Sequence, residues 1–362
     1  MFPNHSQPLV SAPAETAVLA MLLAEGPVGR VEPVRRTGLS PTAVTKAARP
    51  LLVGGYPREL PPERTAPGAG RPVHPPAVTA GREYFVGVKI AAEALRGTVR
   101  DFRARRCADT VSRPLGLVRG PAAVCALLAE LVAELLDIGA EFRERTRRLG
   151  IAGSGDVDRR PGRVRYSVLP DRRDVPVVGT VSAATGPRGT VDNDVKALTV
   201  AEHRFGEGIG TGNLALITIG AEIGSGLVVN GEPVAGAYGV AGERGHVSVD
   251  PSGPRCHCGA VGRVEAIASA DAILRTVRRA LEDPEADFAG AVQLTRDGDR
   301  AARGAFVRAG RAIGVGIATL VSLVGPERVV VTGEGLDTCD LFGAHIKEAY
   351  TSRCARRPRN AR

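Results

Sequence analysis

The pattern of apolar and polar positions predicts two helices at the start of the chain. Residues 14–24 repeat apolar side chains at helical spacing, and a second helix is expected from about Pro41 to Arg49, with Pro50 ending it. Ser40 is a favoured N-cap residue and precedes a proline at the first helical position, where a missing N–H does no harm. A helix, a short turn containing glycine and a capped helix follow the order of a helix-turn-helix.

A proline-rich stretch separates these helices from the rest of the chain. Residues 57–76 contain seven prolines, which is typical of a wing followed by a linker. From Tyr84 onward, short Val- and Ile-rich segments alternate with Ala- and Leu-rich segments, and glycines lie at the turns between them. This alternation predicts an α/β fold.

Length and composition exclude some classes of protein. The chain of 362 residues exceeds one typical domain. Its net charge is +9, but 44 of the 48 basic residues are arginine, a skew typical of genome composition, so charge alone is weak evidence for nucleic-acid binding. The longest nearly apolar run, residues 313–325, is shorter than the roughly 20 residues of a membrane helix. Residues 1–15 lack a secretory pattern, so we expect a cytoplasmic protein without membrane contact.

One segment, residues 242–265, concentrates groups with chemical function. It contains, in chain order, a carboxylate, an imidazole, two thiols and a second carboxylate: Glu243, His246, Cys256, Cys258 and Glu265. Two thiols one residue apart, near a histidine, are typical of a small structural zinc loop, and six cysteines in a chain this long do not indicate a disulfide framework. The carboxylates can each accept two hydroxyl hydrogen bonds, as polyol binding requires.

A second segment, residues 190–202, places Asn193 and Asp194 at the end of a Val-rich strand and the start of a helix. A carboxylate at this position can bond a sugar hydroxyl or, in a kinase, remove its proton. The alternative interpretation is an ordinary helix N-cap.

Together these segments resemble the ROK family, which comprises sugar kinases and sugar-responsive repressors. Residues 242–265 follow its pattern E-x-G-H and then C-x-C-G-x-x-G-C-x-E. Residues 192–196 are similar to its E-N-D-x-N segment, with Lys196 in place of the second Asn, and residues 18–72 resemble the winged-helix head and G-R-P wing motif of its regulator branch. The resemblance implies a winged helix-turn-helix with wing and linker at residues 1–76. It further implies an actin-like (ribonuclease H-like) ATPase-fold sugar-binding domain at residues 77–362, with two lobes at about 84–192 and 193–350.

The resemblance also implies a hexose-sized pocket and a DNA-reading surface. The pocket would be lined by Asn193, Asp194, Glu243, His246 and Glu265, and Asp194 would be the general base if the protein were a kinase. The DNA contacts would come from the exposed face of the second helix and from the wing: Thr42, Thr45, Lys46, Arg49 and Arg71. In the alternative interpretation the N-terminal helices only pack on their neighbour. The family further implies a homodimer that reads a two-fold operator, with a sugar as effector.

The phosphate-binding segments depart from the kinase pattern. The family's D-x-G-G-T is replaced here by Lys89 and by Ala91-Ala92-Glu93, whose side chains keep backbone amides away from a phosphate. The second phosphate loop, residues 219–226, keeps most of its glycines, which could instead shape a turn between strands. ATP and Mg²⁺ are therefore not expected as cofactors. The sequence favours a sugar-responsive regulator over a sugar kinase, with a decayed relative that binds neither ligand as the third hypothesis.

The family's fourth zinc position is Arg263 in this chain. A guanidinium cannot ligate zinc, which leaves His246, Cys256 and Cys258. His257 could turn inward as a substitute only with rearrangement, because on so tight a turn it is expected to point away. We therefore expect zinc to bind weakly or not at all. After about residue 350 the family continues with a strand and a long helix, whereas an Arg-rich segment that we interpret as solvated follows here.

Overall fold

The computed structural model describes residues 12–26, 31–60, 76–118, 120–167, 172–236, 241–242 and 244–354. The chain divides into two compact units, Met1–Asn193 and Asp194–Arg362. The described helices are α1 Pro13–Glu25, α2 Val31–Thr37, α3 Pro41–Val53, α4 Pro121–Asp137, α5 Ala140–Arg145, α6 Val177–Thr185, α7 Asp194–Phe205, α8 Val264–Ala268, α9 Ala270–Leu281, α10 Phe288–Arg296, α11 Arg300–Val324 and α12 Cys339–Arg353. The described strands are β1 Pro57–Glu59, β2 Pro76–Val78, β3 Tyr84–Ile90, β4 Ala94–Asp101, β5 Val111–Pro114, β6 Thr146–Gly153, β7 Asp156–Asp158, β8 Arg163–Ser167, β9 Arg172–Val175, β10 Arg188–Asn193, β11 Leu214–Thr218, β12 Gly224–Val229, β13 Glu232–Pro233 and β14 Arg328–Thr332.

The N-terminal helices pack around a small apolar core of their own. The predicted cap of α3 is confirmed, because the Ser40 hydroxyl accepts the N–H of Ala43 at 3.2 Å. The predicted end at Arg49 is wrong: α3 continues through Pro50 to Val53. Proline removes a backbone bond, but Leu51 just beyond it is only 1% exposed, and this burial offsets the loss.

Strands β1 and β2 pair antiparallel in the region where the sequence predicted a wing, with Pro57 opposite Val78 and Glu59 opposite Pro76. Residues 61–75, which join the two strands and include Arg71, lie outside the described residues. The domain boundary expected at residue 76 falls inside the first unit and stays a prediction.

The main sheet of the first unit has the strand order β10-β6-β3-β4-β5. Strands β3, β4 and β5 are antiparallel neighbours, whereas β6 and β10 run parallel to β3. Helices α4 and α6 contribute apolar side chains to the core with this sheet, including Leu128, Leu135 and Val181. Because β3, β6 and β10 are parallel, Ile90, Gly153 and Asn193 end at the same edge of the sheet.

The second unit repeats part of this topology with the order β13-β12-β11-β14. Strands β11, β12 and β13 are antiparallel neighbours and β14 is parallel to β11. The carboxyl ends of β11 and β14 therefore meet at one edge, with Thr218 opposite Thr332. The alternation of strands and helices predicted from the sequence is confirmed in both units.

Helix α11 is the central helix of the second unit and crosses α12 at two glycines. A Cβ atom on Gly310 would lie 2.6 Å from the carbonyl oxygen of Phe342, and one on Gly314 would lie 2.8 Å from the Cβ of Ala349.

With its 25 residues, α11 is long and apolar enough to cross a membrane by length and composition, which the shorter run seen in the sequence did not indicate. Half of its most apolar stretch is buried inside the unit, as in the core helix of a globular protein.

Candidate functional site

Asn193 and Asp194 lie at the junction of a strand and a helix, as predicted. Asn193 ends β10 in the first unit, where its side-chain amide donates to the carbonyl of Gly155 at 3.2 Å. Asp194 begins α7 in the second unit, and its carboxylate accepts the N–H of Val195 at 3.0 Å. The parallel pairing of β10 with β6 is what brings the end of β10 to the carboxyl edge of the sheet.

Glu265 is a buried carboxylate on α8, with 9% of its surface exposed. Its Oε2 atom accepts the N–H of Ile223 at 2.7 Å, which ties α8 to the loop between β11 and β12. Burial raises the pKa of Glu265 to about 7, and the charge of Glu222 adds to this rise, whereas the Ile223 N–H opposes it. Near neutral pH this carboxyl group is therefore able both to donate and to accept a hydrogen bond.

Glu222 is a second acidic residue of this region, and the sequence reasoning missed it. Burial raises the pKa of Glu222, the charge of Asp194 raises it further, and His257 lowers it. Asp194, Glu222 and Glu265 are thus electrostatic neighbours within the second unit. An acidic residue among the glycines of a segment that resembles a phosphate loop is a signal visible in the sequence, because a carboxylate there repels phosphate.

The loop between β11 and β12 also contacts a carboxylate from a residue much later in the chain, Glu334. The N–H of Ala221 donates to Glu334 Oε1 at 2.9 Å, and a Cβ on Gly220 would lie 2.5 Å from the same oxygen. Glu334 directly follows Gly333 at the end of β14, and the parallel pairing of β14 with β11 brings it to this loop. One backbone N–H of the segment that resembles the family's second phosphate loop therefore already has an anionic acceptor from the protein itself.

The predicted zinc-binding side chains come together in the loop that precedes α8. One ligand atom from each of His246, Cys256 and Cys258 lies within 4.8 Å of the others, and Cys256 Sγ is 3.8 Å from His246 Nδ1. A tight turn holds the thiols, since Gly259 N–H donates to the Cys256 carbonyl at 2.9 Å and Cys256 N–H to the Ala260 carbonyl at 2.8 Å. Three donors of the type and spacing that zinc requires are therefore present.

Arg263, which the resemblance pairs with the family's fourth ligand by sequence position, lies close enough for its charge to act on His246 and Cys258. Its Nε atom is buried without a hydrogen-bond partner among the described residues. Burial lowers the pKa of His246, and the charges of His257 and Arg263 lower it further. The three donors thus fit zinc and the fourth side chain does not. His257 does not belong to this group of mutually close donors, although its Nδ1 lies 3.7 Å from Cys256 Sγ.

The side chains predicted to contact DNA are exposed along one face of α3. Thr42, Thr45, Lys46 and Arg49 line a shallow depression of about 730 Å³ on this face. The opposite face buries Val44 and Leu51. Two predicted residues, Glu243 of the pocket and Arg71 of the wing, lie outside the described residues.

Comparison with protein families identifies the larger part of the chain. The model of the ROK family matches residues 116–362. The chain belongs to the ROK family. This confirms the resemblance seen in the sequence, and the α/β actin-like fold of ROK proteins agrees with the two units described above.

Relatives of this ROK protein include both regulators and sugar kinases. It is 26% identical over 338 residues to the DNA-binding transcriptional dual regulator NagC of Escherichia coli K12, which covers 90% of this chain and 81% of the relative. It is 33% identical over 237 residues to the glucokinase of Thermotoga maritima, which covers 62% of this chain and 73% of the relative.

Solved structures of ROK proteins resemble this chain over most of its length. A ROK family transcriptional regulator described as a homologue of the Escherichia coli Mlc protein has a TM-score of 0.78 at 23% identity, covering 94% of this chain and 88% of that structure. The ROK hexokinase of Thermus thermophilus has a TM-score of 0.66 at 29% identity, covering 75% and 88%. At 23% identity the first of these likenesses shows the fold alone.

Proposed function

We propose that this ROK protein is a sugar-responsive transcriptional regulator, acting as a repressor, that does not transfer phosphate from ATP. The observation that carries the proposal concerns the loop between β11 and β12, which resembles a phosphate loop but has one backbone N–H already bonded to a carboxylate. Glu334 accepts the N–H of Ala221, and Glu222 stands in the same loop. Phosphoryl transfer depends on positioning and on stabilising negative charge, so carboxylates at this point oppose both nucleotide binding and catalysis.

The turn between β3 and β4 in the first unit supports the same conclusion. Ala91, Ala92 and Glu93 occupy this turn, and the Ala91 N–H donates to the Ala94 carbonyl at 3.0 Å. That N–H is therefore engaged within the hairpin, and the carboxylate of Glu93 adds a charge of the same sign as a phosphate.

The N-terminal helices supply the DNA-binding part of the proposal. The relative NagC, named a DNA-binding transcriptional dual regulator, matches 90% of this chain, a span that extends well beyond the 62% matched by the glucokinase. We assign α3 as the recognition helix of a winged helix-turn-helix, with Thr42 and Thr45 facing base edges and Lys46 and Arg49 facing phosphates. A homodimer would present two such helices to a two-fold operator.

The second unit supplies the sugar-binding part. Asp194, Glu265 and Glu243 carry carboxyl groups suited to sugar hydroxyls, and the raised pKa of Glu265 lets one of them donate as well as accept. Asn193 stays a predicted member of this pocket. The three donors His246, Cys256 and Cys258 would brace the loop beside α8 if zinc were bound, and we propose that Arg263 leaves this binding weak or absent.

Selection of genomic DNA fragments on the purified protein, with and without glucose or N-acetylglucosamine, tests the proposal. The expected result is enrichment of a two-fold symmetric sequence whose affinity changes with one of the sugars. Asp194→Ala should abolish the sugar response and leave DNA binding intact. A coupled assay with ATP and a hexose panel tests the rival function, since turnover above that of Asp194→Ala would establish a sugar kinase.

A further inference from the structure

Tyr56 belongs to the N-terminal apolar core of the first unit and is bonded to the residue that precedes the main sheet. The N-terminal core contains Val18, Leu22 and Leu51, and it also includes Tyr56. The core of the main sheet begins at Val86, just after the start of β3. Tyr56 follows α3 directly, and its N–H donates to the Leu51 carbonyl at 3.0 Å, so the position of its ring is linked to the end of this helix.

The Tyr56 hydroxyl makes a buried hydrogen bond to Glu83, the residue that precedes β3. It donates to Glu83 Oε1 at 2.9 Å, with Tyr56 4% exposed and Glu83 7% exposed. Burial raises the pKa of Tyr56 and the carboxylate of Glu83 raises it further, so the hydroxyl keeps its proton and stays a donor. A hydrogen bond to a buried carboxylate oxygen restricts both the distance and the relative direction of the two side chains, here Tyr56 and Glu83.

Neighbouring groups contact the Tyr56 ring and the end of α3 from other directions. Arg82 Nε donates to the Gly54 carbonyl at 2.7 Å, and its guanidinium lies 5.4 Å from the centre of the Tyr56 ring. Phe102, next to the end of β4, has its ring 5.4 Å from that of Tyr56 and 5.8 Å from that of Phe85 on β3. We call Tyr56, Arg82, Glu83 and Phe102 the Tyr56 junction.

The Tyr56 junction is continuous with the sheet that ends at Asn193. Glu83 immediately precedes β3, which pairs with β6, which in turn pairs with β10. The junction lies at the amino end of β3, whereas Asn193 lies at the carboxyl edge formed by β3, β6 and β10. The Tyr56–Glu83 bond and the sheet together therefore connect the end of α3 with a residue predicted to contact the sugar.

We infer that Tyr56 and Glu83 are positioning residues for α3: their hydrogen bond fixes the DNA-contacting helix to the sheet and makes its orientation follow that of the sheet. This inference rests on the proposed function. If apolar packing alone held α3, loss of the hydroxyl would leave the sugar response unchanged. If the bond sets the orientation, its loss lets the orientation of α3 vary relative to the sheet even though the Arg82–Gly54 bond and both cores remain, and the coupling between sugar and DNA is weakened.

The experiment compares the full-length wild type with Tyr56→Phe, Glu83→Gln and the control Glu130→Gln, an exposed carboxylate on α4. The dissociation constant for the selected DNA is measured by fluorescence anisotropy with and without the sugar, glucose or N-acetylglucosamine, that gave the response. The ratio of the two constants reports the coupling. We expect Tyr56→Phe to lower this ratio at least fivefold, Glu83→Gln to retain most of it because its amide oxygen still accepts the hydroxyl, and Glu130→Gln to match the wild type.

Other outcomes separate this inference from the proposed function. An unchanged ratio in Tyr56→Phe, beside a responsive wild type, would overturn the inference and leave the regulator intact. Loss of DNA binding together with rapid proteolysis of the N-terminal helices would show that Tyr56 stabilises the fold and does not position α3. A wild type without sugar-dependent DNA binding would overturn the proposed function and this inference with it.

Discussion

Glu265 holds its carboxyl group inside the core of the second unit, where one backbone N–H replaces the many water contacts of the unfolded chain. Its pKa of about 7 lies above the ordinary glutamate value of 4.5. The folded state therefore holds this proton more tightly than the unfolded state. The associated stability is fully present below about pH 4.5 and is lost as the pH rises through 7.

Glu265→Gln should stabilise the protein at pH 8 and have little effect at pH 4.5, because glutamine keeps the bond from Ile223 N–H without carrying a charge. The gain at pH 8 is expected to reach about 3 kcal/mol, from 1.36 kcal/mol for each pKa unit. Urea unfolding at both pH values measures it, with Glu130→Gln as the exposed control. Equal effects of Glu265→Gln at the two pH values would contradict the assigned pKa.

We expect Arg263 to decide how tightly the loop at His246, Cys256 and Cys258 would hold a metal. Arg263→Cys should complete a four-ligand site, raise the zinc content to about one ion per chain and raise the melting temperature, since metal binding adds to the free energy of unfolding. Elemental analysis after dialysis without chelator, beside thermal unfolding, measures both effects, and Cys258→Ser on the Arg263→Cys background is the matched control. A wild type that already keeps one zinc per chain would contradict the prediction.

The positions of single site residues were predicted best where all the residues of a motif lie in one short segment. The loop from His246 to Cys258 is such a case, and its three donors do come together. The bond between Ala221 and Glu334 joins positions 113 residues apart, and it follows from the parallel pairing of β11 with β14, which no local pattern encodes. The pKa of Glu265 could not be predicted either, because it depends on burial.

At the scale of elements, α3 shows why helix starts are easier to predict than helix ends. The start is fixed locally by the Ser40 cap, and it was predicted correctly. The end depends on Leu51, whose burial against α1 keeps the helix going past a proline. The exposed face predicted from spacing, with Lys46 and Arg49 on it, is confirmed as exposed, and contact with DNA stays a prediction.

Lys46→Ala should weaken binding to specific and unrelated DNA alike and reduce the slope of log affinity against log salt by about one, because one phosphate contact is lost. Titrations at several salt concentrations measure the slope. Lys347→Ala, which removes an exposed lysine from α12 in the other unit, is the control and should leave the slope unchanged. If Lys46→Ala also leaves the slope unchanged, α3 does not contact the DNA backbone through this residue.

At the scale of the whole molecule, the α/β class could be predicted from the alternation of strands and helices. The strand orders could not, because they depend on pairing between segments that are distant in sequence.

Sugar binding to the folded second unit should raise the melting temperature, with about 2.7 kcal/mol of added stability at a hundredfold excess over the dissociation constant. Asp194→Ala should abolish this shift, and the exposed Asp283→Ala should not. A thermal shift assay over a sugar panel measures it, and no shift with any sugar would favour a protein that has lost its ligand.

The crossing of α11 and α12 at Gly310 and Gly314 bears on how genetic data for this protein should be interpreted. Backbone atoms of one helix fill the space that a side chain on the other would need, so even alanine is too large at these two positions. In a deep mutational scan, both glycines would score as intolerant as residues of the ligand pocket. A map of intolerant positions would therefore mark this crossing as strongly as a binding site, and only direct ligand titration of folded variants would tell the two apart.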